Sequence, residues 1–164
     1  PSGRAYISAD GLYRYSLDRQ LVDDGEWTCT FVMLNPSTAD ATKDDPTIRR
    51  CIGFAKREGC TSLTVVNLFA MRATDPKQLT AAMKLGQDPI GPDNCEHVIQ
   101  QIAAHSLGII VAAWGAHRLA ITMPVQRHAL HEAGAHCLGM TKDGSPKHPL
   151  YVRADQPLVP WVDA

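Results

Sequence analysis

Three polar residues, each close to an apolar run or a rigid loop, are the first candidates for chemistry. Asn35 follows an apolar run, Asn67 follows the run 63–66, and His148 lies in a loop with prolines on both sides. A carboxamide can orient a water molecule or read the edge of a base, and an imidazole can donate a hydrogen bond to a developing anion. These residue types indicate recognition or hydrolysis at a polar ring.

Each candidate also has a plainer structural role. Asn35, held by the following Pro36, could cap its loop as an Asx-type turn, which is the commoner role for such a residue, and Asn67 could simply end a strand. The acidic cluster Asp40, Asp44 and Asp45 could supply a general base or metal ligands. The pair Asp45-Pro46 is more typical of a helix start, with Asp45 as the cap.

Several classes of site are not expected. The five cysteines are an odd number, widely spaced and without a C-x-x-C pair, and no two histidines show a convincing ligand spacing. The sequence has no P-loop, no G-x-G-x-x-G and no G-x-S-x-G. We therefore expect no metal and no cofactor. Reduced thiols predict a cytoplasmic protein, and the apolar runs are too short to cross a bilayer, so no membrane partner is expected.

The charge balance argues against binding nucleic acid through bulk positive charge. The chain has 164 residues and a formal net charge of −1, whereas such domains usually have a pI above about 9. The charge is unevenly spread, because residues 118–153 contain five basic and only two acidic side chains. We expect these basic residues to form a local rim around the His148 loop: Arg118, Arg127, Lys142, Lys147 and Arg153.

Strands and helices alternate along the chain, which predicts an α/β fold. The segments 12–21 and 27–34, joined by Asp23-Asp24-Gly25, predict an N-terminal β-hairpin. Later strands are expected at 63–66, 109–113 and 135–138, with helices from Asp45-Pro46 to Gly59, from about Asp93, and over 125–132. The segment between Asn67 and Asp93 is expected to be irregular. We expect one domain over residues 1–164: a three-layer fold whose mainly parallel four-stranded sheet is flanked by helices, with the hairpin as an extension.

Ligands of open α/β sheets bind beyond the carboxyl ends of the strands. Asn35, Asn67, Trp114-Gly115 and the segment after Leu138 all stand at such ends. The sequence therefore predicts that these residues border one site.

Taken together, the strand ends resemble a known family. The runs FVMLNPSTAD at 31–40 and DDPTIRRC at 44–51, followed by VNLFAMRAT at 66–74 and HPLY at 148–151, are similar to an uncharacterised family of bacterial and phage proteins with a domain of unknown function. The resemblance covers nearly the whole chain.

This pattern in turn resembles the uracil-DNA glycosylase superfamily. Leu34-Asn35-Pro36 is similar to the first motif of the mismatch-specific branch, whose Asn positions the attacking water. Val66-Asn67 with Arg72 is similar to the thermostable branch, whose Asn reads the base. Trp114-Gly115-Ala116 resembles a glycine-containing motif at a strand end, and His148-Pro149 resembles the last motif, whose His supports negative charge on the pyrimidine oxygen.

The chain departs from that superfamily at three points. Ser37 stands where the first motif has glycine, Leu150 replaces the Ser-Pro that pinches the DNA backbone, and the cysteines of the iron–sulfur branch are absent.

The resemblance implies a DNA glycosylase-like hydrolase that cleaves the N-glycosidic bond of a flipped-out uracil, mismatched or modified base. Asn35 and His148 would be catalytic. The base would contact Asn67, Pro36, Ser37 and Phe69, and phosphates of DNA or of a nucleotide would contact Arg72, Lys147, Arg49 and Arg50. Two alternatives remain open: a non-catalytic module that binds a nucleotide or nucleic acid, and a hydrolase of free nucleosides or nucleotides. The identity of the base and the oligomeric state are left open.

Overall fold

All the strands belong to one sheet of seven in the computed structural model, which describes residues 2–23 and 25–163. In chain order they are β1 (Gly3–Ile7), β2 (Arg14–Gln20), β3 (Thr28–Met33), β4 (Ser62–Asn67), β5 (Ile109–Ala112), β6 (His136–Cys137) and β7 (Val159–Pro160). Their spatial order is β1-β2-β4-β3-β5-β6-β7. The four central strands, β4, β3, β5 and β6, run parallel. Strands β2 and β7 pair antiparallel with the two ends of this group, and β1 pairs antiparallel with β2.

This arrangement confirms an α/β fold with a parallel core but corrects the number of strands. The expected four strands became seven because β1 and β2 extend one edge of the parallel core and β7 extends the other. The sequence pattern did not indicate β1 or β7. The strand β7 is only two residues long and pairs with β6 alone, so it carries no alternation that could reveal it.

Four α-helices cover the two faces of the sheet in the described part of the chain: α1 (Pro46–Arg57), α2 (Lys77–Lys84), α3 (Asn94–Ala104) and α4 (Pro124–Glu132). Successive side chains of a strand point to opposite faces. Phe31 accordingly packs in one apolar core with α1, while its neighbour Val32 packs in the other core with α2, α3 and α4. None of the described helices is both long and apolar enough to span a membrane.

The start of α1 is the one predicted from sequence. The carboxylate of Asp45 accepts a hydrogen bond from the backbone N–H of Ile48 at 2.9 Å, and Pro46 occupies the first helical position. The helix ends at Arg57, and Gly59 follows with φ +75°, a left-handed conformation that glycine adopts without strain. The Asp45 cap at the other end of the helix sets where the amino end of α1 lies.

The predicted pairing of the N-terminal hairpin was wrong. Strand β2 does not pair with β3 but lies between β1 and β4, with Leu17 opposite Val65. All six residues of β3 are buried, and a strand of that kind is most stable with a strand on each side, here β4 and β5. The predicted turn includes Asp24, which lies outside the described residues.

The segment expected to be irregular contains α2. This helix has eight residues and buries Leu79 and Ala82 against the core on its side of the sheet. It begins directly after Asp75-Pro76, the same pair of residue types that begins α1, and the carboxylate of Asp75 accepts a hydrogen bond from the backbone N–H of Lys77 at 2.9 Å. A start signal was therefore present in the sequence, and the prediction of an irregular segment overlooked it.

Candidate functional site

A cavity of about 720 Å³ opens at the carboxyl ends of the parallel strands. Asn67 is the last residue of β4, Asn35 comes two residues after β3, and Trp114 comes two residues after β5. All three line the cavity together with His148. The structure thus brings together the residues that the sequence placed at separate strand ends.

Asn35 is held by backbone carbonyl groups. Its Nδ2 donates to the carbonyl oxygens of Ala73 at 2.8 Å and Pro36 at 3.1 Å. Because both bonds use the nitrogen, the side-chain oxygen is the atom left to accept a hydrogen bond from a ligand or a water molecule. The same bonds tie the loop after β3 to the loop after β4.

Asn67 lies at the bottom of the cavity and is almost fully buried. Its Oδ1 faces the guanidinium of Arg14, with Nη2 at 3.5 Å. Asn94 supports the backbone here, because its Nδ2 donates to the carbonyl oxygens of Asn67 at 2.9 Å and Leu68 at 3.0 Å. With Oδ1 turned toward a cation, the side chain of Asn67 offers its amide donors to the cavity.

His148 is a neutral donor at physiological pH. Its Nδ1 accepts a hydrogen bond from the backbone N–H of Leu150 at 3.2 Å, so the ring proton is on Nε2. Burial lowers the pKa of His148, an effect that the carboxylate of Asp45 opposes. A neutral imidazole with its proton on Nε2 can stabilise a developing anion by donating a hydrogen bond to it.

The loop of His148 is fixed from two sides. The backbone N–H of Gly115 donates to the carbonyl of Pro146 at 2.9 Å. On the other side, Arg50 donates from Nε to the carbonyl of Pro149 at 3.2 Å and from Nη2 to the carbonyl of Val152. The imidazole is therefore held in place before any ligand arrives.

The rim of the cavity combines apolar and charged groups. Leu150 and Tyr151 line it and are exposed, Tyr151 with 83% of its surface accessible. The Tyr151 ring lies 5.6 Å from the His148 ring, centroid to centroid. Lys147 and Ser37 also line the cavity.

Other predicted residues lie outside the cavity wall. Pro36 and Phe69 are buried, and neither lines the cavity. The carbonyl of Pro36 instead supports Asn35, and the backbone N–H of Phe69 donates to the carbonyl of Leu34 at 2.9 Å. Both residues shape the loops from behind.

Apart from Lys147 in the cavity wall, the predicted phosphate contacts are spread over three places. Arg72 lines a shallow groove that adjoins the cavity through Ser37 and Thr38. Arg49 is exposed and donates to the backbone carbonyl of Asp44 at 2.8 Å, away from the cavity. The guanidinium of Arg50 is occupied by the two carbonyls of the His148 loop.

The basic rim expected around His148 is smaller than the sequence indicated. Of its five members, only Lys147 lines the cavity. Arg153 pairs with Asp155, and Arg127 pairs with Asp163, so part of the local positive charge is neutralised by acidic residues from the C-terminal segment.

The cavity also holds a charged residue that was not among the candidates from the sequence, Arg14. Arg14 lines it and is only 2% exposed. Burial lowers the pKa of Arg14 to about 10, Asp45 opposes this shift, and Arg72 and Arg19 add to it, so the guanidinium stays charged at pH 7. Asp45 lines the cavity as well as capping α1. The one signal in the sequence that could have pointed to Arg14 is that a charged residue stands at the start of a strand.

Within residues 2–23 and 25–163, no group of three or more His, Cys, Asp and Glu side chains comes together as a set of ligands. The arrangement instead offers an amide oxygen, amide and imidazole donors and a buried cation.

Comparison with known proteins places the chain in a family but does not give it an activity. No curated protein and no solved structure matches it. The sequence model of a family described as "Protein of unknown function (DUF1643)" matches residues 14–150, which run from Arg14 in β2 to Leu150 at the rim of the cavity. The match covers most of the chain and almost the whole cavity wall, and on this basis the chain belongs to the DUF1643 family.

Proposed function

We propose that this protein is a hydrolase that cleaves the N-glycosidic bond of a uracil, mismatched or modified base flipped out of DNA into the cavity. The observation that carries the proposal is the convergence of Asn35, Asn67 and His148 on one cavity, each with a different polar group available. The resemblance of their motifs to the uracil-DNA glycosylase superfamily supports the same chemistry.

In the proposed reaction the bond between C1′ of the sugar and the base nitrogen breaks, and its electron pair leaves with the base. Water then supplies a hydroxyl group to C1′ and a proton to the base. Asn35 orients this water by accepting a hydrogen bond at Oδ1. The Nε2–H of His148 donates to the base as negative charge builds on it.

Asn67 would read the base through its amide donors, because its Oδ1 faces Arg14. A carboxamide is a poor base, so Asn35 positions water without deprotonating it, and we expect a modest rate. Loss of a positioning or anion-stabilising contact commonly lowers a rate by about 10²–10³-fold.

The experiment is a cleavage assay on purified protein. Duplex and single-stranded oligonucleotides carrying uracil, G·T-mismatched thymine or modified pyrimidines are incubated with protein, and abasic sites are revealed by alkali. We expect cleavage of at least one substrate, with a loss of about 10²–10³-fold in N35A and H148N. The control variant is H131N, because the side chain of His131 is exposed and does not line the cavity.

A second candidate is a hydrolase or binding protein for free nucleotides. The observation in its favour is that Lys147 is the only member of the expected basic rim that lines the cavity, which leaves few contacts for a DNA backbone. Turnover or saturable binding of free nucleotides, with indifference to duplex DNA, would select this candidate. Absence of cleavage across the whole panel, with N35A indistinguishable from the wild type, would remove the first.

A further inference from the structure

Two arginines of β2 are buried to the same extent but are neutralised differently. Arg14 is 2% exposed and Arg19 is 4% exposed. Arg19 forms an ion pair with Asp44, with Nη2 at 2.8 Å from Oδ1. In the described part of the chain, no carboxylate lies within ion-pair distance of Arg14.

The hydrogen-bond partners of Arg14 are neutral groups and do not balance its positive charge. Nη1 donates to the backbone carbonyl of Ala39 at 2.9 Å, and Nη2 reaches the side-chain oxygen of Asn67 at 3.5 Å. Nε is fully buried and has no hydrogen-bond partner. A neutral donor could make both existing contacts, whereas a buried cation without a counter-charge is destabilising.

The surroundings of Arg14 in the cavity favour a negative ligand. Lys147 lines the same cavity, and the amino end of α1 opens onto it through Pro46 and Thr47. The peptide dipoles of a helix make that end positive. The one carboxylate in the cavity wall belongs to Asp45, which already accepts the N–H of Ile48.

We propose that Arg14 anchors an oxoanion-binding site in this cavity, so that the ligand carries a phosphate or carboxylate group that completes the ion pair Arg14 lacks. The site lies in the cavity to which we assign the hydrolase activity, but it does not require the protein to cleave anything. A cavity of about 720 Å³ falls in the range of sites that bury small-molecule ligands, so an anionic group and a base can be accommodated together.

The test is a comparison of anionic and neutral ligands on the full chain. Inorganic phosphate, uridine monophosphate, uridine and a carboxylated uracil are titrated by calorimetry and by thermal unfolding. We expect phosphate-bearing or carboxylated ligands to bind at least tenfold more tightly than uridine. A preference for uridine monophosphate assigns the oxoanion to a nucleotide phosphate, and a preference for the carboxylated base assigns it to the ring.

Three variants separate an anion site from a structural arginine. R14M is expected to abolish the preference for anionic ligands. R14K retains the charge and is expected to retain part of the preference. R19M is the matched control: it is expected to lower the melting temperature, because Asp44 loses its partner, and to keep the preference.

The proposal fails if no oxoanion binds the wild type, or if R14M binds oxoanions as tightly as the wild type does. Should R14M not fold, nuclear magnetic resonance replaces it. The Nε–H signal of Arg14, identified by its absence in R14K, must then shift on addition of phosphate, and an unmoved signal overturns the proposal. Oxoanion binding without cleavage of any substrate would contradict the proposed hydrolase activity and support the oxoanion site. Cleavage that is unchanged in R14M would support the hydrolase activity and contradict the oxoanion site.

Discussion

The side chain of Asn35 donates to the carbonyl oxygen of Ala73 at 2.8 Å, across 38 residues of chain. This bond joins the loop after β3 to the loop after β4, and the backbone N–H of Ala73 returns a bond to the carbonyl of Pro36 at 2.8 Å. The amide of Asn35 is therefore both a candidate catalytic group and the connection that fixes its own orientation.

Replacing Asn35 with Asp tests that connection. The carboxylate has no N–H to donate, so its oxygen would face two carbonyl oxygens, and the carbonyl of Ala73 would lose its donor. We expect N35D to lose about 1–3 kcal/mol of stability at pH 7. The deficit should shrink as the pH falls, because a protonated Asp can donate again. Denaturant unfolding at pH 7 and pH 5 measures this, and equal stability of N35D and wild type at pH 7 would contradict it.

The lowered pKa of His148 predicts a loss of stability in mild acid. The folded chain protonates this imidazole less readily than the unfolded chain, whose histidine pKa is about 6.5. Below about pH 6.5 the unfolded state therefore binds more protons, and stability falls as the pH drops toward the folded pKa. Since His97 and His105 are shifted in the same direction, the contribution of His148 is read from the difference between wild type and H148N.

In H148N the Asn oxygen can still accept the N–H of Leu150, so the local backbone contact is kept while Nε2 is removed. We expect this variant to lose less stability than the wild type between pH 7 and pH 5. Resonance titration of the His148 ring gives an independent check, and a midpoint at or above 6.5 would refute the prediction.

Two neighbouring arginines of α1 are expected to differ sharply on mutation. Arg50 donates to the carbonyls of Pro149 and Val152 and lies over the Phe54 ring at 5.2 Å, whereas the guanidinium of Arg49 is exposed and donates to the carbonyl of Asp44. Hydrogen bonds from a charged group contribute about 1.5–3 kcal/mol. We expect R50A to lose stability in that range and to speed amide exchange in residues 147–152. R49A should change stability by less than about 0.5 kcal/mol; similar losses in both variants would contradict this account.

Gly115 constrains His148 through the space beside it as well as through its hydrogen bond to Pro146. It has φ +77°, and a Cβ added there would meet the Cβ of His148 at 3.4 Å. Gly134 has φ +65° with open space around the same position, which makes it the matched control. Both G115A and G134A should lose about 1–2 kcal/mol from backbone strain. G115A alone should also change ligand binding to the cavity, measured by calorimetry with the tightest ligand found.

Tyr151 offers an exposed ring at the mouth of the cavity. If the ligand is a base, stacking on such a ring contributes about 1–3 kcal/mol. We expect Y151A to weaken ligand binding severalfold or more, with unfolding free energy within about 0.5 kcal/mol of wild type. Y151F keeps the ring and should bind like the wild type, so equal weakening in both variants would exclude stacking.

Much of the chain could be interpreted locally. The Asp45-Pro46 start of α1 and the buried runs of β3, β4 and β5 depend on residues adjacent in sequence, and the structure confirms them. The placement of Asn35 and Asn67 at strand ends follows from the same runs. The prediction missed α2 although Asp75-Pro76 precedes it, because a helix of only eight residues gives a short apolar pattern that prolines and glycines closely surround.

The pairing of strands that are far apart in the sequence could not be predicted from local patterns. The alternation in β2 is compatible with pairing to β3, but β4 takes the place between them, because the wholly buried β3 is covered on both edges by parallel strands. Pairing of strands that are distant in sequence depends on the competition among all edges of the sheet, and no single segment contains that information.

The sequence by itself determined the local elements and the residue types at the strand ends, since caps, turns and apolar runs act over a few residues. Only the tertiary structure decided which of these residues share a cavity and which charges are left without partners. In the sequence Arg14 is a charged residue like many others. Its burial depends on the loop at Ala39 and on Asn67, 53 residues away, which it contacts in the fold. Burial is a property of the whole fold. Because a buried cation without a counter-charge is destabilising, the burial of Arg14 is the basis of the proposal that the ligand is an anion.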